Sequence, residues 1–222
     1  MTETRTARRG MTLADAAREF RRYPSPWLLA IAFAASLAAR IAVGDWRLSD
    51  AVLPLAVLAV FPFVEWMIHV VVLHWRPRRI GGVTIDPLLG RKHRQHHADP
   101  KIVKLIFIPL ESLAGAFVSA VVVAFVIIPR TGLGLTFLTV VFGIGVVYEW
   151  SHYLVHTDYK PKTWFYRTIY RNHRLHHFKN EHYWFAVTTP GLADRALGTY
   201  PDPQSVPTSP TAKNLYGTSA AA

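Results

Sequence analysis

Four stretches of this 222-residue chain are apolar for about as long as a helix needs to cross a lipid bilayer, roughly 20 residues. They cover residues 27–43, 51–73, 107–128 and 132–154. Helices buried in soluble proteins seldom stay apolar for so long, so a soluble bundle is disfavoured. The expected fold is an all-α integral membrane protein with four transmembrane helices. Pro54, Pro62 and Pro109 lie in or beside these blocks. In water a proline breaks a helix interior; in a membrane bundle, neighbouring helices re-satisfy the freed carbonyls. The 26 residues ahead of the first block are long for the charged region of a signal peptide, so that block is read as a span.

The formal charge is +11, with 25 lysines and arginines. Six sit before Trp27, eight between Arg76 and Lys104, and eight from Lys160 to Lys213. Only Arg40, Arg47 and Arg130 lie elsewhere, beside the short connections. With four crossings, all three rich regions fall on one side, and the positive-inside rule makes that side cytoplasmic for both termini. Topology accounts for the charge, and no nucleic-acid partner is needed. Residues 1–25 form a basic arm in which Leu13, Ala17 and Phe20 share helical spacing opposite arginines. It reads as an interfacial helix, or else as a frayed soluble arm. Residues 26–198 form one membrane domain. Residues 199–222, with Pro201, Pro203, Pro207 and Pro210 among serines and threonines, read as an extended or disordered tail.

The chain has no cysteine, so any metal must be held by nitrogen and oxygen. It has 11 histidines, and ten fall into a duplicated pattern. "EWMIHVVVLH" (residues 65–74) is matched by "EWSHYLVH" (residues 149–156). Each pair, His69 with His74 and His152 with His156, is followed by an HxxHH triplet: His93, His96, His97 and His173, His176, His177. Only His182 lies outside. Residues four apart share a helix face. Within each triplet the first and third histidines therefore point one way, and the middle one about 100° round. That suggests two metals and a crossover, five ligands to each. Five is too many for zinc alone. Imidazole also suits iron, and two iron ions with positions open for O2 fit the count. The ligands must be neutral, so the site should weaken as pH falls toward the usual imidazole range of about 6.5. Glu65 and Glu149 stand one turn before His69 and His152 and are expected to accept the second ring N–H; the alternative is a helix-end acid facing water or a loop arginine.

The ordered set HxxxxH, HxxHH, HxxxH, HxxHH resembles the fatty acid hydroxylase and sterol desaturase superfamily of membrane di-iron oxygenases, over about residues 50–200. The three-spacer third motif and the segment "HHFKNEHYWFAVTTPGLADRALGT" are most similar to the fatty acid 2-hydroxylase branch. The resemblance implies a cytosolic helical cap over the four spans, holding two iron ions, although zinc readily occupies imidazole sites. It assigns His69, His74, His93, His97 and His176 to one metal, and His96, His152, His156, His173 and His177 to the other. The implied reaction is hydroxylation of an unactivated C–H bond of a lipid acyl chain with O2. No fused cytochrome b5 domain is visible, so the electrons are expected from a separate donor such as a cytochrome b5, a ferredoxin or a reductase. Tyr148 and Glu149 are candidate catalytic or gating residues at the membrane end of the fourth helix; an interfacial anchor is the blander role for a tyrosine there. His182 falls where the family often has a small or hydroxyl-bearing residue and is not expected to be a ligand. A sterol or lipid desaturase or a carotenoid hydroxylase would use the same centre, and a non-enzymatic metal-binding membrane protein is the remote alternative.

Overall fold

The structure is a computed structural model that describes residues 10–216; Arg5, Arg8 and Arg9 of the basic arm and the last six residues of the tail lie outside them. In chain order the helices are α1 (Leu13–Phe20), α2 (Pro24–Val43), α3 (Val52–Met67), α4 (Leu88–Ala98), α5 (Leu110–Val122), α6 (Thr131–Val155), α7 (Trp164–Phe178) and α8 (Leu192–Ala196). A hairpin of β1 (Arg78–Ile80) and β2 (Val83–Ile85) separates α3 from α4. The all-α expectation therefore misses one small sheet. Gly81 and Gly82 both have positive φ (56° and 83°), which is what a two-residue hairpin turn that follows strand twist requires.

Four helical segments are long and apolar enough to cross a membrane: Pro24–Val43, Leu48–Leu73, Val103–Ile127 and Thr131–Val155. Their apolar side chains point outward, the reverse of a soluble core. Leu55, Leu58 and Val118 are exposed, and Val126 is 77% exposed. Such a continuous apolar exterior needs a lipid solvent. Between the helices the seams are made of small residues, which let backbones approach where lipid offers no hydrophobic drive. A Cβ on Gly145 would lie 2.7 Å from Leu29 of α2, and one on Gly134 would collide with the Ala124 carbonyl. Leu29, Leu113, Leu135, Leu138 and Phe142 fill the space between.

At one end of the bundle two of the three leftover arginines meet acids. Arg40 is buried, 2.9 Å from Asp45 and 3.1 Å from Asp50, and Arg130 is 2.7 Å from Asp50. Arg40 also stacks over Trp46. The charges of Arg40 and Arg130 are thus compensated.

The other end carries the histidines, and one irregularity shapes it. Beyond α3 the helix widens into a π turn, Ile68–Leu73, whose last bond runs from the His74 N–H to the His69 carbonyl (3.0 Å). A second π turn, Val123–Ile127, ends the third span at the arginine end, beside Gly134. At the histidine end α4 packs on the first π turn and α7 on the end of α6. Helix α1, opened by a Thr12–Asp15 capping box, buries Ala16 and Phe20 rather than the Leu13–Ala17–Phe20 stripe. The reason is an aromatic cluster: Phe20 meets Phe107, Trp150 and Tyr153 at ring-centroid distances of 5.0–5.7 Å.

The expected extended or disordered tail is a further correction. Up to Tyr216 the tail is irregular but packed, with Val206, Ala212 and Leu215 buried. Its backbone is anchored by bonds such as Ser209 N–H to the Lys179 carbonyl (2.8 Å). Proline removes donors and fixes φ, which limits regular structure but does not prevent docking.

Candidate metal centre

The structure brings all ten motif histidines together in two groups of five. One is His69, His74, His93, His97 and His176; the other is His96, His152, His156, His173 and His177. In each group the ligand nitrogens lie within 4.8 Å of one another. Nine of the ten are buried and His156 is half-buried. Helix α4 sends His93 and His97 to the first group and His96 to the second; α7 sends His173 and His177 to the second and His176 to the first. Each helix therefore bridges both groups. His69 and His74 meet because of the π turn. Five residues along an α-helix leave side chains about 140° apart. An i→i+5 turn stacks them instead, and their ring centroids are 5.1 Å apart.

The ring nitrogens make the case for a cation. His69 Nδ1 lies 2.6 Å from the Phe185 carbonyl, His97 Nδ1 2.9 Å from the Ala212 carbonyl, and His176 Nδ1 2.8 Å from the Tyr183 carbonyl. A carbonyl only accepts, so each Nδ1 carries the proton, and each Nε2 of the neutral ring offers a bare lone pair. Yet His97 Nε2 and His176 Nε2 are 3.2 Å apart. Two lone pairs at that distance repel unless a cation lies between them. Protonation does not serve. Burial holds His74, His93 and His176 well below the usual imidazole range, and lowers His97 to about 4, so the rings are neutral near pH 7. In the second group, burial followed by neighbouring histidines does the same to His96, His156, His173 and His177.

The spacing also constrains coordination geometry. Nitrogens about 2.1 Å from one ion are about 3.0 Å apart at right angles and about 3.4 Å apart in a tetrahedron. The close Nε2–Nε2 separations run from 2.9 to 3.2 Å. These close separations are nearer the right-angle value than the tetrahedral one.

The two glutamates depart from expectation. Neither Glu65 nor Glu149 accepts from a histidine ring. Glu65 takes the Val187 N–H (3.0 Å) and the Thr188 hydroxyl (2.6 Å), and Glu149 takes the Ile108 N–H (2.9 Å). Buried loop amides without a ladder partner need an acceptor, and these carboxylates supply it. Asp194, which sequence reasoning missed, is fully buried and accepts from Phe185 N–H (2.9 Å), Ala186 N–H (3.0 Å) and the Thr199 hydroxyl (2.7 Å). The loop 183–188, whose carbonyls hold His69 and His176, is thus clamped from both sides. The sequence signal was an acid isolated in the stretch "TTPGLADRALG". His182 is exposed, 3.6 Å from Glu181, and belongs to neither group.

A cavity of about 680 Å³ opens between α3, α5 and α6. Val60, Val64, Ala116 and Val141 form part of its apolar wall, and Glu65, His69 and Tyr148 also line it. Tyr148 therefore faces the cavity. Glu149 does not line it; one of its carboxylate oxygens takes the Ile108 N–H and the other is buried without a partner among the described residues.

A family model described as fatty acid hydroxylase matches residues 54–199, from the second span through the loop held by Asp194. No curated protein and no solved structure matches the chain.

Proposed function

Because the chain belongs to the fatty acid hydroxylase family, and so to membrane oxygenases of the hydroxylase or desaturase type, we propose that it hydroxylates an unactivated C–H bond of a lipid acyl chain. The observation that carries this reading is the apolar cavity of about 680 Å³ whose lining includes His69 of the first histidine group. Its volume suits a lipid-sized ligand.

Each methylene buried there contributes about 0.8 kcal/mol. That binding energy is available to hold one carbon beside the histidine groups, which is the task of the protein in such chemistry. The apolar wall keeps water away. Tyr148, Glu65, Ser112 and His69 put polar atoms on a lining that is mostly apolar. The two groups are suited to one metal ion each. Iron bound there would supply the oxygen-activating redox chemistry that no side chain can provide. The carbonyls of Phe185, Tyr183 and Ala212 keep three rings in the tautomer that presents Nε2. Dioxygen is the co-substrate and a separate carrier, such as a cytochrome b5, a ferredoxin or a reductase, supplies the electrons. Twenty-two of the 25 lysines and arginines lie in regions that four crossings put on the histidine side, which supports a cytoplasmic location for both groups. The 2-position is the proposed site of oxidation, on the similarity of the third motif to that branch.

The test is lipid mass spectrometry on cells expressing the wild type or His176→Ala. A lipid heavier by one oxygen, absent with the variant, is the expected result. A lipid lighter by two hydrogens identifies a desaturase, and no lipid change with either protein refutes the oxygenase reading.

A further inference from the structure

The family match ends at residue 199, but the packed chain does not. Residues 200–216 return over the histidine groups as a strap. Ala212 gives its carbonyl to His97 Nδ1 (2.9 Å). Tyr216 donates its hydroxyl to the His74 carbonyl (3.0 Å). Thr211 donates to the Glu181 carboxylate (2.5 Å), Asn180 donates to the Pro207 carbonyl (3.3 Å), and Leu215 is buried beneath. The two groups are unequal in this respect. His69, His97 and His176 of the first are each oriented through Nδ1 by a backbone carbonyl. His96, His173 and His177 of the second have no partner at Nδ1.

We propose that the strap is a positioning element for the metal of the first group alone: through Ala212 it holds His97 in register and through Tyr216 it holds the turn that carries His74. The proposal rests on the two-metal reading above. The physical reason is that a ligand ring freed of its outer hydrogen bond can rotate and change tautomer, and such losses weaken metal binding about 10–100-fold. No strap residue is a ligand, so a ligand-motif search passes over it.

The experiment compares three proteins purified with metal in detergent: the full chain, a chain ending at Tyr216, and a chain ending at Pro210. A fourth, Leu215→Asp, lifts the strap without shortening it. Each is titrated with a competing chelator while metal per chain is counted and the visible spectrum of the cobalt-substituted form is followed. The expected result is two metals in the full chain and in the chain ending at Tyr216. In the chain ending at Pro210 and in Leu215→Asp, one metal leaves at about 10–100-fold less chelator and the other is unmoved. If neither metal becomes easier to remove, or both do together, the strap is not a site-selective element and the proposal is overturned. A full chain that holds fewer than two metals refutes the two-metal reading instead, and the proposal falls with its premise.

Discussion

Asp194→Asn is the sharpest test of how the metal centre is held. The carboxylate is fully buried and accepts three hydrogen bonds, two from loop amides and one from Thr199. An amide side chain keeps one acceptor oxygen and turns two N–H donors toward the loop. At least one buried N–H, of Phe185 or Ala186, then loses its acceptor, at a cost of about 1–3 kcal/mol. The bonds that remain lose their charge assistance, about 1 kcal/mol each. The sum is about 2–5 kcal/mol, or about 4–20 °C in melting temperature for a chain of this size. The displacement does not stop at stability, because the Phe185 and Tyr183 carbonyls orient His69 and His176. Metal affinity of the first group should fall about 10–100-fold. The assay is a thermal melt in detergent, followed by fluorescence of the buried Trp184, beside a metal count after chelator challenge. Wild-type melting together with wild-type metal retention would refute the idea that the loop orients the rings.

Three further outcomes follow from the geometry. Ala116→Phe narrows the apolar cavity, so products should shift to shorter acyl chains, each excluded methylene costing about 0.8 kcal/mol, or about fourfold; an unchanged chain-length profile in lipid mass spectrometry would contradict the assignment of the cavity. Metal-free protein should lose stability as pH falls from 6.5 toward 4, because buried His97 stays neutral down to about 4 while the unfolded chain takes up its proton near 6.5; stability curves by pH that are flat across that window would count against a buried neutral cluster. Arg40→Leu removes one partner from the ion pair with Asp50 at the other end of the bundle and should lower the melting temperature, Arg130 still being present, while metal per chain stays at the wild-type value; loss of metal would mean the two ends are coupled.

What could be read from the chain alone was what depends on residue identity and local spacing. Apolar runs as long as a bilayer is thick announce spanning helices, and histidines three and four apart on a helix announce which nitrogens can converge. Even the crossover of α4 and α7 between two groups follows from angles around one helix. The rest was hidden for a physical reason. His69 and His74 meet only through a π turn, and nothing in "HVVVLH" requires one until the neighbouring helices pull the two rings together. The rings are oriented by the carbonyls of Phe185, Tyr183 and Ala212, and a backbone carbonyl is the same group at every residue, so it leaves no mark in a sequence. Glu65 and Glu149 were visible as acids, but whether an acid serves a ring or a loop amide depends on which donor folding leaves buried and unpaired nearby. The strap looked like a tail by composition, and the tertiary surface beneath it made it part of the centre.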